Sequence, residues 1–528
     1  MMIKKNIKYF ALLALGLVAC EPEFDNPIDE SGVYGSGEAD FSTYVALGNS
    51  LTAGYADGAL YITGQENSYP NILAQQFEFA GGGEFTQPLM DDNTGGILLG
   101  GTQILPNRFV LAFDEQGNPA PRRYTGAMAT TDVTNRLSGS FNNLGAPGAK
   151  SFHLVAEGYG NTAGVQAGLA NPYYARFASA DNASILGDAL AQNPTFFSLW
   201  IGNNDILSYA TSGGVGVNQL GNLNPATYGG NDITDPNVFA NVYNTIVTSL
   251  VAGGAKGVVL SLPDVTSIPY FTTVPFAPLS PLNPSFGPQI PTLNATYAGL
   301  NQAFAFLGVP ERSIQFSTTG ASAVVIKDES LADISAQLTQ VLTPTFGAAQ
   351  AAIFGAQYGQ ARQANANDLL VLPSSSVIGQ LNTDRLQELI GFGLTQEQAG
   401  QLSVNGVTFP LEDQYVLTAA EQAEVSAART AFNASIRGIA EANGLAFYDA
   451  AADLAVVASA GLPFDGGVIT SQFVSGGGFS LDGVHPTPRG HAVVANGIIK
   501  AIENTYGASL PMVNPGNYGT ITLNNDVN

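Results

Sequence analysis

Short apolar runs alternate with longer amphipathic stretches from residue 41 almost to the end of the chain. The runs at 44–47, 196–201, 257–262, 368–372 and 446–448 are short and largely apolar, and they read as buried strands. Apolar positions recur at helical spacing over 69–79, 183–192, 238–252, 293–307, 419–442 and 488–506, which predicts six helices. The last of these has Thr487 as N-cap, Pro488 in its first turn and Gly507 as its stop. Strands alternating with helices predict an α/β fold, a three-layer α/β/α arrangement in which a mainly parallel sheet is covered on both faces. Two segments exceed a minimal sheet. Residues 81–135 are rich in Gly, Asn, Asp and Thr and read as a long loop with one strand at 108–113. Residues 276–409 follow a proline-rich start, Pro275-Phe276-Ala277-Pro278-Leu279-Ser280-Pro281, and read as an insertion or small cap. Loops of such length inside compact domains are functional or disordered. The tail, 511–528, is polar and is expected on the surface.

The start of the chain follows another pattern. Lys4, Lys5 and Lys8 lead into an unbroken run of apolar or small residues at 9–19, closed by Leu17-Val18-Ala19-Cys20. The run is shorter than the ~20 residues a membrane-spanning helix needs, and it reads as a secretory signal, 1–19, ending in a lipobox. Cys20 is the one cysteine of the chain, so no disulfide can form within it. A lone thiol at this position predicts acylation, with Cys20 as the new N-terminus and a lipid anchor in the membrane. Glu21, Glu23, Asp25, Asp29 and Glu30 follow among prolines and glycines, an acidic tether spanning 20–40. This run resembles the export signal of Bacteroidetes surface lipoproteins, which implies a cell-envelope location on the outer membrane, facing outward.

Composition favours a folded body. Apolar residues make up 45% of 528 and charged residues only 11%, well below the ~25% of an average soluble protein. The formal net charge is −24, and removal of Lys4, Lys5 and Lys8 takes it to −27. Such a surface repels phosphate backbones, so nucleic acid is not an expected partner. One cysteine and three histidines leave no readable metal site. Asp91-Asp92-Asn93 lacks the spacing and closing glutamate of a calcium loop and reads as a solvated turn. No cofactor is called for.

The chemistry collects in four stretches. Gly48-Asn49-Ser50-Leu51 follows the first strand, Asn143-Leu144-Gly145-Ala146-Pro147-Gly148-Ala149 runs into glycines, Gly202-Asn203-Asn204-Asp205 ends the strand at 196–201, and Asp482-Gly483-Val484-His485-Pro486 precedes the last helix. A serine just past a strand's carboxyl end lies where open α/β sheets keep their ligands. Ester hydrolysis needs a nucleophile, a base, a group that orients the base and donors for an oxyanion. Ser50, His485 and Asp482 can fill the first three roles, because an aspartate three residues before a histidine can reach one ring nitrogen across a turn. The Ser50 N–H, the Gly148 N–H and the Asn204 side-chain amide are candidate oxyanion donors. Asn203 and Asp205 compete for a different task, since one of the three polar residues 203–205 is expected to cap the following helix. His153 has no adjacent acid and His491 lies among alanines and valines, so both are expected to be structural.

Together the four stretches resemble the blocks of the SGNH hydrolases, the GDSL-type esterases and lipases, in the family's order and across nearly all of the chain after the tether. Residues 197–205 are especially similar to the lipase and lecithinase branch, and so is Ser261-Leu262-Pro263-Asp264. The resemblance implies an SGNH, flavodoxin-like domain over 41–510 and a serine esterase or lipase. Ser50 would be the nucleophile, His485 the base, Asp482 its orienting acid, and Ser50, Gly148 and Asn204 the oxyanion hole. Two departures stand out: Asn49 replaces the aspartate of the family name, and the chain far exceeds the family's minimal domain. The second glycine of a Gly-x-Ser-x-Gly elbow is absent, Thr52 standing in its place, which argues against the α/β-hydrolase fold. The substrate is a small ester, a lipid or an O-acetylated glycan. A reading of another class, a non-catalytic surface lipoprotein that binds glycan or a transporter partner, rests on the 20 Tyr and 29 Phe available for a binding platform.

Overall fold

The computed structural model describes residues 33–113 and 117–527. The signal segment, Cys20 and the acidic run behind it lie outside the described residues.

Five strands form one parallel sheet: β1 (Tyr44–Gly48), β2 (Asn143–Gly145), β3 (Phe196–Trp200), β4 (Lys256–Leu260) and β5 (Ala446–Tyr448). Their spatial order is β5-β4-β3-β1-β2. Every residue of β1 and β3 is buried, as expected of strands covered on both faces. Register matters most at the carboxyl ends. Gly48 stands opposite Gly145 on one side and Trp200 on the other. The ends of three adjacent strands are therefore level, and the polar stretches that follow them emerge along one edge.

β2 corrects the expectation for 368–372. That run contributes only Leu369–Leu370, which pairs antiparallel with Val416–Leu417 outside the sheet, and the fifth strand is Asn143–Gly145. Three residues at a sheet edge carry little apolar signal. Asn143 is accommodated because its amide donates to the Thr52 carbonyl at 2.9 Å and to Gln87 Oε1 at 3.1 Å.

The helices that position the site are α1 (Ser50–Ala53), α2 (Tyr69–Phe77), α3 (Asn204–Thr211), α4 (Pro236–Ala252), α5 (Ile290–Phe306), α6 (Ala419–Ala442) and α7 (Pro488–Tyr506). The helix expected over 183–192 is confined to Ile185–Leu190. α7 packs on β4, β5 and α2, whereas α6 packs on β4, β5 and α4. α7 begins as its sequence predicts: Thr487 accepts a hydrogen bond from the Gly490 N–H, and Gly507 closes the helix at φ +66°. No described helix is long and apolar enough to cross a membrane.

The segment 81–135 is more ordered than a loop. It holds two antiparallel hairpins, Gly95–Leu99 with Thr102–Asn107 and Phe109–Phe113 with Pro119–Arg123. Gly100 and Gly101, at φ +59° and +81°, make the two-residue turn of the first. Its polar composition hid strands that bury only a small apolar face, around Ile97. The tail also packs: the Leu111 N–H donates to the Thr522 carbonyl, the Asn524 N–H donates to that of Leu111, and Val527 is buried. Residues between Val274 and Val416 build a second apolar core of their own, separate from that of the sheet. It contains α5 and two helices absent from the sequence reading, Ser335–Phe346 and Ala348–Tyr358.

Candidate active site

β1 ends at Gly48, where a Cβ would collide with the Thr52 hydroxyl and the Trp200 carbonyl. Asn49 then caps the single turn of α1, its Oδ1 accepting the Leu51 N–H at 3.0 Å. Its other side-chain atom, Nδ2, donates to Asn203 Oδ1 at 3.2 Å, so Asn49 ties the end of β1 to the end of β3. The turn closes at Gly54, φ +81°, whose N–H donates to the Ser50 carbonyl. Ser50 is thereby held at the first position of α1.

Ser50 Oγ lies 2.8 Å from His485 Nε2, and His485 Nδ1 lies 2.8 Å from Asp482 Oδ2. The three residues come from two places 435 positions apart, joined by the fold. Burial opposes ionisation of Asp482, but the neighbouring His485 and the donors around the carboxylate outweigh it and hold its pKa down to about 2. These donors are the Val484 and His485 N–H groups on Oδ1, both at 2.9 Å, and the Gly58 N–H on Oδ2 at 2.9 Å. An ionised carboxylate only accepts hydrogen bonds, so the neutral imidazole carries its proton on Nδ1. Nε2 is left as the acceptor for the Ser50 hydroxyl. The Tyr55 ring packs on the imidazole with centroids 4.7 Å apart.

A second tier supports the Asp482 loop. Ser480 Oγ donates to Asp482 Oδ1 at 3.0 Å and accepts the Asp57 N–H at 2.9 Å. The Asp57 carboxylate in turn accepts the Leu481 N–H at 2.9 Å and the Tyr61 hydroxyl at 2.8 Å, and pairs with the buried Arg108 at 3.4 Å. Arg108 also donates to Thr522 of the tail and lies 3.7 Å above the Tyr61 ring. Burial raises the pKa of Asp57 despite the guanidinium beside it. Sequence reading missed Asp57, Gly58, Ser480 and Arg108. Asp57-Gly58 is legible as a turn, but no local pattern links it to a loop more than 400 residues away.

The three candidate donors follow the carboxyl ends of three adjacent strands, Ser50 after β1, Gly148 after β2 and Asn204 after β3. The N–H groups of Ser50 and Gly148 have no hydrogen-bond partner among the described residues. Gly148 is exposed at φ +83°, a left-handed backbone that favours glycine, and only Asn171 Nδ2, at 3.9 Å, comes near its missing Cβ. Asn204 Nδ2 donates to the Ala149 carbonyl at 2.9 Å and keeps a second hydrogen free for another acceptor. The Gly148 loop is stapled down by Asp205, whose carboxylate accepts the Ser151 N–H at 2.8 Å and its hydroxyl at 2.7 Å. The expectation that one of residues 203–205 caps α3 by its side chain is not met. Asn203 sits at the N-cap without a capping bond, its Oδ1 taken by Asn49, while Asp205 is spent on Ser151.

The other two histidines do not join this group. His153 Nδ1 accepts the Lys150 N–H at 3.0 Å and its ring stacks on Tyr159; burial and then Lys150 lower its pKa to about 4. His491 is buried in α7 against Tyr69, and burial lowers its pKa to about 3. Asp91-Asp92-Asn93 forms a bend with Asp91 exposed, in which Asp92 accepts from Thr94 and Thr130, and Asn93 from Thr63. Among the described residues no group of three or more His, Cys, Asp or Glu side chains could hold a metal ion.

Two cavities meet at His485. One, of about 120 Å³, reaches Ser50 and Asn204 and is walled by Trp200, Ile268, Val457 and Phe479. The other is a chamber of about 2020 Å³ between the sheet's carboxyl edge and the second core. Leu207, Val484 and His485 line both. Comparison with protein-family models, curated proteins and solved structures finds no match for this chain.

Proposed function

We propose that the protein is a serine hydrolase of carboxylic esters, an esterase or lipase of the SGNH type. The observation that carries the reading is the unbroken chain from the Ser50 hydroxyl through His485 to Asp482, with three hydrogen-bond donors available at the same sheet edge. His485 Nε2 takes the Ser50 proton as Oγ attacks the ester carbonyl. The N–H groups of Ser50 and Gly148 and the free Asn204 amide hydrogen receive the charge that develops on the carbonyl oxygen. Asp482 stabilises the imidazolium, which then protonates the departing alkoxide and leaves an acyl group on Ser50. Water, deprotonated by His485, attacks that acyl-enzyme and releases the acid.

The strand order, second-first-third-fourth-fifth along the chain, is that of flavodoxin-like sheets. With α2 and α7 grouped apart from α4 and α6, it favours the three-layer form of such a hydrolase. Asn49 fits the same scheme, since the aspartate it replaces could accept the Leu51 N–H but could not donate to Asn203. Ser50→Ala is expected to abolish hydrolysis of p-nitrophenyl esters and labelling by a fluorophosphonate probe without changing the far-ultraviolet circular dichroism. An unchanged rate in that variant overturns the reading. We further propose that the chain is an outer-membrane lipoprotein anchored through Cys20. Cys20→Ala should then lose metabolic incorporation of labelled palmitate and leave the membrane fraction.

A further inference from the structure

The chamber beside His485 holds about 2020 Å³, where an ordinary small-molecule pocket holds about 300–1,000 Å³. Its neutral lining selects little, since apolar side chains stand beside hydrogen-bonding ones such as Thr211, Gln289, Ser375 and Gln398. Charge narrows the choice. Apart from Asp482 and His485, the one charged side chain among the described residues of the lining is Arg123, in a protein where 18 basic residues face 42 acidic ones. Arg123 ends the second hairpin, opposite Phe109. Its Nη1 donates to the Gly58 carbonyl at 3.1 Å and to the Asn107 carbonyl at 2.7 Å, which uses both hydrogens of that nitrogen, and the guanidinium lies 3.7 Å from the centre of the Phe109 ring. Gly58, at φ +70°, makes room for this packing: a Cβ there would come within 3.0 Å of Nη1 and of the Phe109 ring. Nε and Nη2 have no hydrogen-bond partner among the described residues. These two nitrogens share one edge of the planar group, a fork that matches two oxygens of a carboxylate or phosphate.

The fork lies close to the chemistry. The Gly58 peptide that receives Nη1 at its carbonyl gives its N–H to Asp482 Oδ2 at 2.9 Å, so one residue bridges the guanidinium and the acid of the triad. Resting on the serine-hydrolase reading, we infer that Arg123 determines specificity and that the substrate is an anionic ester, whose carboxylate or phosphate group lies in the chamber against Nε and Nη2 while its carbonyl lies at Ser50. The backbone carbonyls and the Phe109 ring hold the guanidinium in place before the substrate arrives, so little side-chain freedom is lost on binding. Charge-assisted hydrogen bonds from such a fork favour an anionic ester over its neutral counterpart by about tenfold or more. The preference runs against the overall field of the protein, since a net charge of −24 repels anions.

Two matched pairs of esters test this on the full chain. Mono-p-nitrophenyl adipate against its methyl ester places the charge in the acyl part, and p-acetoxybenzoate against its methyl ester places it in the alcohol part. p-Acetoxyphenyl phosphate, compared with p-acetoxybenzoate, separates phosphate from carboxylate as the bound group. The expected result for wild type is a kcat/KM about tenfold or more higher for the anionic member of at least one pair, shrinking as ionic strength rises. Arg123→Gln should lose that preference while still turning over the neutral ester, and Arg123→Lys, which keeps the charge without the fork, should retain part of it. A wild type that favours the neutral member of both pairs overturns the assignment, whether or not the variants fold. A preference that survives Arg123→Gln overturns it, and so does an equal fall on both members of a pair, the mark of a guanidinium that only holds the hairpin in place. Each of these outcomes leaves the serine hydrolase standing as long as turnover depends on Ser50. Turnover that survives Ser50→Ala overturns the hydrolase reading, and the anion assignment falls with it.

Discussion

Asn49 donates to Asn203 with one side-chain atom and accepts from the turn of α1 with the other. Exchange for aspartate would remove the donor to Asn203 Oδ1 at a fully buried position. Asn204, four residues past the end of β3, anchors Ala149 with one hydrogen and leaves the other free. Asn204→Ala is therefore expected to lower kcat by about 10²–10³ with little change in KM, as removal of one oxyanion donor does; steady-state kinetics on a short ester checks it. Asp482 makes a prediction in pH. Its folded pKa, about 2, lies below the 3.8 of a free aspartate. The carboxylate thus adds stability that is present above pH 3.8 and is lost as pH falls through 2, on the order of 2 kcal/mol in all. Asp482→Asn should flatten that part of the acid-unfolding curve, followed by urea denaturation, and should lower kcat by about 10²–10⁴ because the imidazole loses its orienting acceptor.

Among the elements, α7 links the site to the sheet. Its N-terminus follows the Asp482-to-Pro486 loop directly, and its buried His491 packs on Tyr69 of α2. His491 Nε2 has no hydrogen-bond partner among the described residues, and its folded pKa is about 3 against 6.5 for a free imidazole. The unfolded chain therefore binds a proton that the folded one refuses. Stability is full above pH 6.5 and falls progressively as pH drops toward 3, by about 3 kcal/mol at pH 4 from this residue alone. His491→Phe should remove this slope, measured as urea midpoints at pH 7 and pH 4, while ester turnover at pH 7 stays within a few-fold of wild type. The level ends of β1, β2 and β3 belong to the same scale. They bring three separated stretches to one edge, where the loop of Asp482 and His485 before α7 joins them.

At the scale of the whole molecule, support for the site comes from segments that looked peripheral. The hairpin region delivers Arg108 to Asp57, the tail delivers Thr522 to Arg108, and Asp57 holds the loop of Asp482. Removing one partner of a buried ion pair leaves the other uncompensated, typically at 3–5 kcal/mol. Arg108→Met is expected to destabilise the protein by about that amount and to reduce turnover of a short ester. A thermal melt and a rate measured well below the melting temperature separate the two effects.

Much of this was legible in the chain. Strands β1, β3, β4 and β5 are fully or almost fully apolar, and α6 and α7 carry their caps in sequence, so periodicity and capping chemistry alone locate them. Asp482 and His485 are three residues apart, a spacing that one turn can close. What only tertiary structure decided involves distance. β2 is too short and too polar to announce itself, and its place follows from pairing with β1. The hairpins of 95–123 bury side chains in a small cluster whose members are scattered along the chain. Asp57, Arg108 and Thr522 are single polar residues with no periodicity, and they acquire meaning when burial forces each to find a partner hundreds of positions away. The chamber, too, belongs to two cores facing each other, and no local pattern of hydrophobic positions records the space between them.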